Sequence, residues 1–177
     1  PVEPTSPYAA SKLAGEELVA SYATEDGLDT VRLRYFNVFG PGQPHDSPYA
    51  AVVPKFIDAL ERGEAVTIFG DGEQTRDFVL IQDVFQANMC AAMCRYRFGG
   101  TVFNVASGQS RSINDVVKAV GRELGIEPKV VYKPAREGEV RHSVASLAKS
   151  KEALTYKPRY TLEDGLECII NPADGDG

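Results

Sequence analysis

Runs rich in β-branched and aromatic residues alternate along this chain with runs of helical spacing, and each β-rich run ends in glycine, proline or small residues. Thr30–Phe36 (TVRLRYF) is a strand by composition and passes directly into a Gly/Pro loop, Asn37–Pro44. Pro54 opens a helix through Glu61 that Gly63 closes, and Ala65–Phe69 is a short strand. Phe78–Ile81 is a further short strand, and Gln82 and Asp83 open a helix running to about Arg97, with Val84, Ala87, Ala91 and Met93 among its apolar positions. Met89 and Met93 read as core filler, and Asp77 and Asp83 as capping or turn residues. Thr101–Ala106 is a strand finishing in Ser107-Gly108-Gln109. Ser112 with Asp115 has the form of a capping box before a helix over Ile113–Leu124 that stops at Gly125. Lys129–Tyr132 is a strand, Pro134–His142 a polar loop, and Leu147–Leu154 a short helix. Thr161 and Asp164 cap a last helix to Ile170, followed by a frayed tail. Such alternation predicts an α/β fold without internal repeats. In sheets of that class ligands meet the carboxyl ends of strands, so the loop after Phe36 is a candidate site edge.

A chain of 177 residues, 43% of them hydrophobic, is long enough for one domain with a real core. The formal net charge of −6 argues against nucleic-acid binding. Charge is nevertheless uneven: positions 129 to 159 hold eight Lys or Arg against three Glu, a region suited to an anionic small molecule. Cys90, Cys94 and Cys168 have no metal-ligand spacing with a histidine, so no metal is expected; reduced thiols in a cytoplasmic protein account for them. No apolar run is long enough to span a bilayer and no signal peptide is present, so no membrane partner is expected. The sequence opens without Met inside what reads as a loop, the expected appearance of a fragment.

Chemistry concentrates at the first helix. Ser6 is a suitable N-cap and Pro7 suits the first helical position. Tyr8 and Lys12 are four apart and therefore share a helix face. A neighbouring cation and the positive helix N-terminus both favour a phenolate, the form in which Tyr8 would act as a general base. The first helix continues through Leu13, Leu18, Val19 and Tyr22 and ends at Gly27. Nowhere does a G-x-G-x-x-G or G-x-x-G-x-x-G follow an opening strand, so a dinucleotide site is expected to be incomplete within these residues.

Four blocks carry a family resemblance: Tyr8–Glu16 (YAASKLAGE), Leu33–Gln43 (LRYFNVFGPGQ), Phe69–Val79 (FGDGEQTRDFV) and Arg136–Arg141 (REGEVR). In order and spacing they resemble the extended short-chain dehydrogenase/reductases that act on sugar nucleotides, the NAD-dependent epimerase/dehydratase family. The wording is most like that of UDP-glucose 4-epimerases. The resemblance implies the C-terminal part of a Rossmann-type doubly wound fold plus a smaller substrate-binding α/β domain, with the glycine-rich cofactor half absent. Residues 1–45 would end the Rossmann-like part, and 46–177 would be mostly the sugar-nucleotide region, the two interleaved in space. NAD is the implied cofactor, a UDP-sugar or related sugar nucleotide the implied partner, and a homodimer is allowed. By the same resemblance Tyr8 is the base, and Lys12 binds the nicotinamide ribose. Phe36 lies beside the nicotinamide and Asn37 reaches the phosphates. Val66–Phe69 lines the nucleotide base, Arg76 and Arg136 pair with the diphosphate, and Glu139 stands on the ribose where relatives carry Asp. Arg34 is read as structural, and His45 and His142 receive no catalytic role. Ser146 and Thr155 depart from the Asp and Gly common at those positions. The implied reaction is transient oxidation at C4 of the sugar. Sugar-nucleotide 4,6-dehydratase or decarboxylase chemistry is the alternative within the family, and a non-enzymatic module that binds sugar nucleotide the alternative outside it.

Overall fold

A computed structural model describes residues 4, 6–46, 51–136, 138 and 140–172. Six helices and seven strands alternate among them: α1 (Pro7–Thr24), β1 (Val31–Tyr35), β2 (Asn37–Phe39), α2 (Val52–Glu61), β3 (Val66–Phe69), β4 (Thr75–Leu80), α3 (Ile81–Met93), β5 (Thr101–Val105), β6 (Ser110–Ser112), α4 (Ile113–Leu124), β7 (Val130–Lys133), α5 (Ala148–Leu154) and α6 (Leu162–Ile170). The fold is α/β, with parallel pairing of β1 with β5, β2 with β4 and β3 with β7, and antiparallel pairing of β4 with β6.

The caps explain where the best-defined helices start. Ser112 Oγ accepts from Asp115 N, and the Asp115 carboxylate accepts from Ser112 N, closing a reciprocal box at α4; Thr161 and Asp164 do the same at α6. Gly125 ends α4 at φ 68°, a left-handed conformation that costs glycine least. Thr155 takes the same conformation after α5 at φ 53°, the one non-glycine with positive φ among the described residues. This is one of the positions at which the sequence departs from what the resemblance implies, glycine here.

Two apolar clusters form the core. One gathers α2, α4 and α6 over β3 and β4 through Phe39, Phe56, Leu60, Ile68, Phe78, Leu80, Val116, Val120 and Leu166. The other joins β1, β5, α3 and α5 through Val79, Val84, Phe103, Val105, Leu154 and Tyr156. Period-2 alternation along β4 sends Phe78 and Leu80 to the first cluster and Val79 to the second, so this strand is shared by both. Tyr156 is fully buried and donates its hydroxyl to the Ala106 carbonyl at 2.9 Å. Burial pushes that phenol up, and the nearby Asp83 and Asp77 carboxylates add to the effect.

Several local expectations are corrected. The stretch after Phe36 is not loop throughout: Asn37–Phe39 is β2, held by parallel pairing to Phe78–Leu80. β4 begins three residues earlier than composition suggests, at Thr75, and β6 (SRS) has no apolar pattern to announce it. The third helix ends at Met93 rather than near Arg97, and Met93 is 74% exposed because α3 buries the face carrying Asp83, Val84, Ala87 and Ala91. Met89 is also exposed, so neither methionine fills the core. Cys90, Cys94 and Cys168 are free thiols, and Cys90 and Cys94 are half-buried rather than enclosed.

Asp77 and Asp83 are neither caps nor turn residues. Both are fully buried. Asp77 accepts from Ser107 N and Oγ, Gly108 N and Ala145 N, fastening β4 to the turn after β5 and to the approach to α5. Asp83 accepts from Arg159 N and Tyr160 N, 76 and 77 residues away. Burial raises the Asp83 carboxyl, opposed by those two backbone donors and the charge of Arg159.

Candidate active site

A cleft of about 570 Å³ opens between α2, β3 and β4. Three short periodicities build its walls. Val52, Lys55, Phe56 and Ala59 share one face of α2, Arg76 and Phe78 alternate along β4 with Gln74 just before it, and Val66–Phe69 forms the length of β3. Asn37, Ile113 and Arg136 complete the walls. The lining includes three cations, Lys55, Arg76 and Arg136, against one carboxylate, Glu64. Such a balance over an apolar floor suits a dianion attached to a flat apolar group.

Individual side chains are held in place. Arg136 lies over the Phe69 ring, its guanidinium carbon 4.1 Å from the centroid. Arg76 Nη1 donates to the Thr75 carbonyl at 2.8 Å, and Arg76 stands opposite Arg111 in the β4–β6 ladder. Arg111 is paired with Glu163 at 3.2 Å, which partly neutralises the doubled charge. Asn37 Nδ2 donates to the Asp77 carbonyl at 3.0 Å. Gln74, nearly buried, donates from Nε2 to the Phe69 carbonyl at 2.7 Å and so ties the two ends of the β3–β4 turn. The turn itself is rigid: Asn114 packs so closely on Gly72, at φ 77°, that any side chain there would collide with its amide. Asp71 pairs with Arg141 at 2.7 Å, and the Arg141 hydrogen bond holds its carboxyl below the usual range. The backbone of Thr75 bonds to Arg141 O and Ser143 N, so the loop carrying Arg136 is anchored to β4 beyond its far end.

Of the expected site residues, the structure thus brings Asn37, Val66, Phe69, Arg76 and Arg136 around one cleft. Tyr8 and Lys12 are not in its lining. Both are exposed residues near the start of α1, with Lys12 Nζ 5.3 Å from the Tyr8 ring centroid, and Tyr8 is 71% exposed. Ser6 caps that helix by accepting from Ala9 N at 3.1 Å, with Pro7 in its first turn. Phe36 joins β1 to β2, donates its N–H to the Val105 carbonyl at 3.0 Å and packs against the second core cluster. Glu139 lies outside the described residues. Lys55 and Gln74 were not foreseen. A strand begun at Thr75 would have placed Gln74 next to its first residue on the Arg76 side, and the spacing of Val52, Phe56 and Ala59 would have marked the α2 face.

The sequence profile of the NAD dependent epimerase/dehydratase family matches residues 1–106. The chain belongs to that family. Among curated members, the UDP-glucose 4-epimerase of Mycolicibacterium smegmatis is 36% identical over 167 residues, 94% of this chain and 52% of that protein. The crystal structure of a UDP-glucose 4-epimerase with UDP-glucose from Thermotoga maritima aligns with TM-score 0.88 at 39% identity, over 95% of this chain and 53% of that one. A Thermus thermophilus UDP-glucose 4-epimerase in complex with NAD aligns with TM-score 0.85 at 33% identity, over 97% and 55%. The chain therefore spans about half the length of the relatives it matches. Among the described residues no helix is long and apolar enough to cross a membrane, and no cluster of His, Cys, Asp and Glu could hold a metal ion.

Proposed function

We propose that this chain is the base-bearing and nucleotide-gripping part of an NAD-dependent 4-epimerase that acts on a UDP-hexose. The observation that carries the reading is the cleft: cations and an amide converge on a pocket with an apolar floor, in a family whose members bind sugar nucleotides. Arg76 and Arg136 offer guanidinium forks to the diphosphate, and the second N–H of the Asn37 amide offers a further donor. Val66 and Phe69 flank the nucleotide base, and Glu139, outside the described residues, is the ribose contact this reading assigns. In this reading residues 1–45 supply the base and 46–177 most of the grip.

The residues present on α1 fit a dinucleotide: an exposed phenol and an exposed ammonium lie on one face, able to meet ribose hydroxyls. NAD, when bound, would supply a hydride acceptor for C4 of the sugar. Lys12 would hold its ribose hydroxyls, and Phe36 would lie near its nicotinamide. Tyr8 takes the proton from the 4-hydroxyl and gives it back, which is general base then general acid work. Affinity drawn from the diphosphate leaves the hexose few contacts, and a hexose with few contacts can present its other face. No G-x-G-x-x-G motif occurs in these 177 residues, so in this reading they do not supply the glycine-rich part of the cofactor site.

The test uses NAD, a UDP-hexose and a complementing glycine-rich cofactor half. Tyr8→Phe should abolish interconversion of the 4-epimers while UDP-sugar binding is retained. Unchanged turnover in that variant would contradict the assignment.

A further inference from the structure

A surface helix is ordinarily aimed by the apolar stripe it buries. None of the eighteen residues of α1 is fully buried, and its inward apolar residues Leu13, Val19, Ala20 and Ala23 are only half-buried, so apolar packing aims this helix weakly. Polar contacts, chiefly from β1, add the directional hold. Arg34 grips Glu16 with both arms of its fork, Nε to Oε1 and Nη2 to Oε2, each at 2.6 Å. Arg32, two residues back on the same face of β1, donates from Nη1 to the Glu16 carbonyl at 3.1 Å and from Nε to the Gly100 carbonyl at 2.6 Å. Thr30 Oγ1 donates to the Val19 carbonyl at 3.0 Å, and Gly100 at φ 78° lies close against Ala20 and Ala23.

Tyr8, Lys12 and Glu16 recur every fourth residue, so dyad and fork share one stripe of α1. A slip of one residue would swing that stripe by about 100° and carry the phenol out of line.

We propose that Glu16 and Arg34, backed by Arg32, are the positioning residues of the Tyr8–Lys12 dyad: their planar fork fixes how α1 is turned on β1. The inference rests on the reading of Tyr8 as base. What the fork contributes is orientation more than strength, since both partners are partly exposed, at 40% and 20% of the side chain, and an ion pair in that setting is weak. Orientation requires two parallel bonds from a planar group, which Lys cannot make. The charged groups facing Glu16 from β1 are Arg34 and Arg32, and Lys12 lies one turn away on α1 itself. The Arg34 hydrogen bond holds the Glu16 carboxyl below its ordinary value, with the charges of Arg34 and Arg32 adding to it and burial opposing. The fork is therefore intact at neutral pH and is lost as pH falls through that lowered value, below the ordinary carboxylate range.

The experiment combines amide exchange with ¹⁹F NMR of this chain carrying 3-fluorotyrosine, the Tyr8 line being identified by its loss in Tyr8→Phe. Glu16→Gln and Arg34→Lys should each speed exchange across α1 at least tenfold while leaving α4 unchanged, and should displace or broaden the Tyr8 line. In the unsubstituted chain the Tyr8 line should shift as pH falls below the ordinary carboxylate range while the buried Tyr156 keeps its folded line. Unchanged α1 exchange in both variants would overturn the proposal. So would a Tyr8 line that moves only when Tyr156 loses its folded position, because that is general unfolding. A Tyr8→Phe protein that still turns over would remove the base assignment while leaving the hold of the fork on α1 standing.

Discussion

α1 and α4 are both well-capped helices, yet they are secured in opposite ways. α4 buries Ile113, Val116, Val117, Ala119, Val120 and Gly121 against α2 and α6, and its place in the fold is fixed by shape. α1 has no fully buried residue, leaves Leu18 at 60% and Tyr22 at 46% exposure, and is fastened by the Arg34 fork, Arg32 and the Thr30 hydroxyl. The cleft on the α4 side is thus lined by packed elements, whereas Tyr8 and Lys12 on α1 have little packed around them. Under the proposed reading the first part grips substrate and the second carries acid-base chemistry, and perturbations should separate them.

The largest effect is expected where the two parts join. Asp77→Ala removes a buried carboxylate and leaves the N–H groups of Ser107, Gly108 and Ala145 without their acceptor, which should cost about 3–5 kcal/mol in denaturant unfolding. A loss below about 1 kcal/mol would mean that the two clusters do not depend on this tie. Next come Arg76→Ala and Arg136→Ala, each expected to weaken UDP binding by about 10- to 100-fold, or roughly 1.4–2.8 kcal/mol, with little change in melting temperature. Removing the box at α4 by Asp115→Ala should cost about 1 kcal/mol. The Ser112 hydroxyl, first, and the Ser112 N–H hold the Asp115 carboxyl below its ordinary value against the opposing effect of burial. That stabilisation is complete above the ordinary carboxylate range and fades as pH falls through the lowered Asp115 value, so the cost of the variant should shrink in acid urea titrations. The smallest change is a gain: Thr155→Gly relieves a left-handed threonine and should stabilise by about 0.5–1 kcal/mol after the entropy cost of glycine. A destabilised Thr155→Gly would show that the Thr155 hydroxyl bond to the Leu154 carbonyl outweighs the backbone strain.

Much of this arrangement is legible in the order of residues. β1, β3, β5 and β7 announce themselves by β-branched and aromatic runs, and both capping boxes can be read from a Ser or Thr with an Asp three places on. The convergence of Asn37, Arg76 and Arg136 on one cleft follows from the family blocks that contain them. What stays hidden depends on long-range pairing. β2 and β6 are three residues each and exist because β4 lies between them, and no local propensity demands either. Asp77 and Asp83 look like turn residues because their partners lie dozens of residues away. Met93 looks like core because apolar content alone does not say which side of α3 faces the sheet.

The central claim is that the nucleotide grip is present in this chain and the cofactor grip is not complete in it. Calorimetric titration of the purified chain with UDP-glucose, and separately with NAD, tests it directly. The account predicts saturable UDP-glucose heat in the micromolar to millimolar range, about −8 to −4 kcal/mol, that Arg76→Ala and Arg136→Ala each weaken, and no saturable NAD heat. Tight NAD binding, or no UDP-glucose binding, would contradict it.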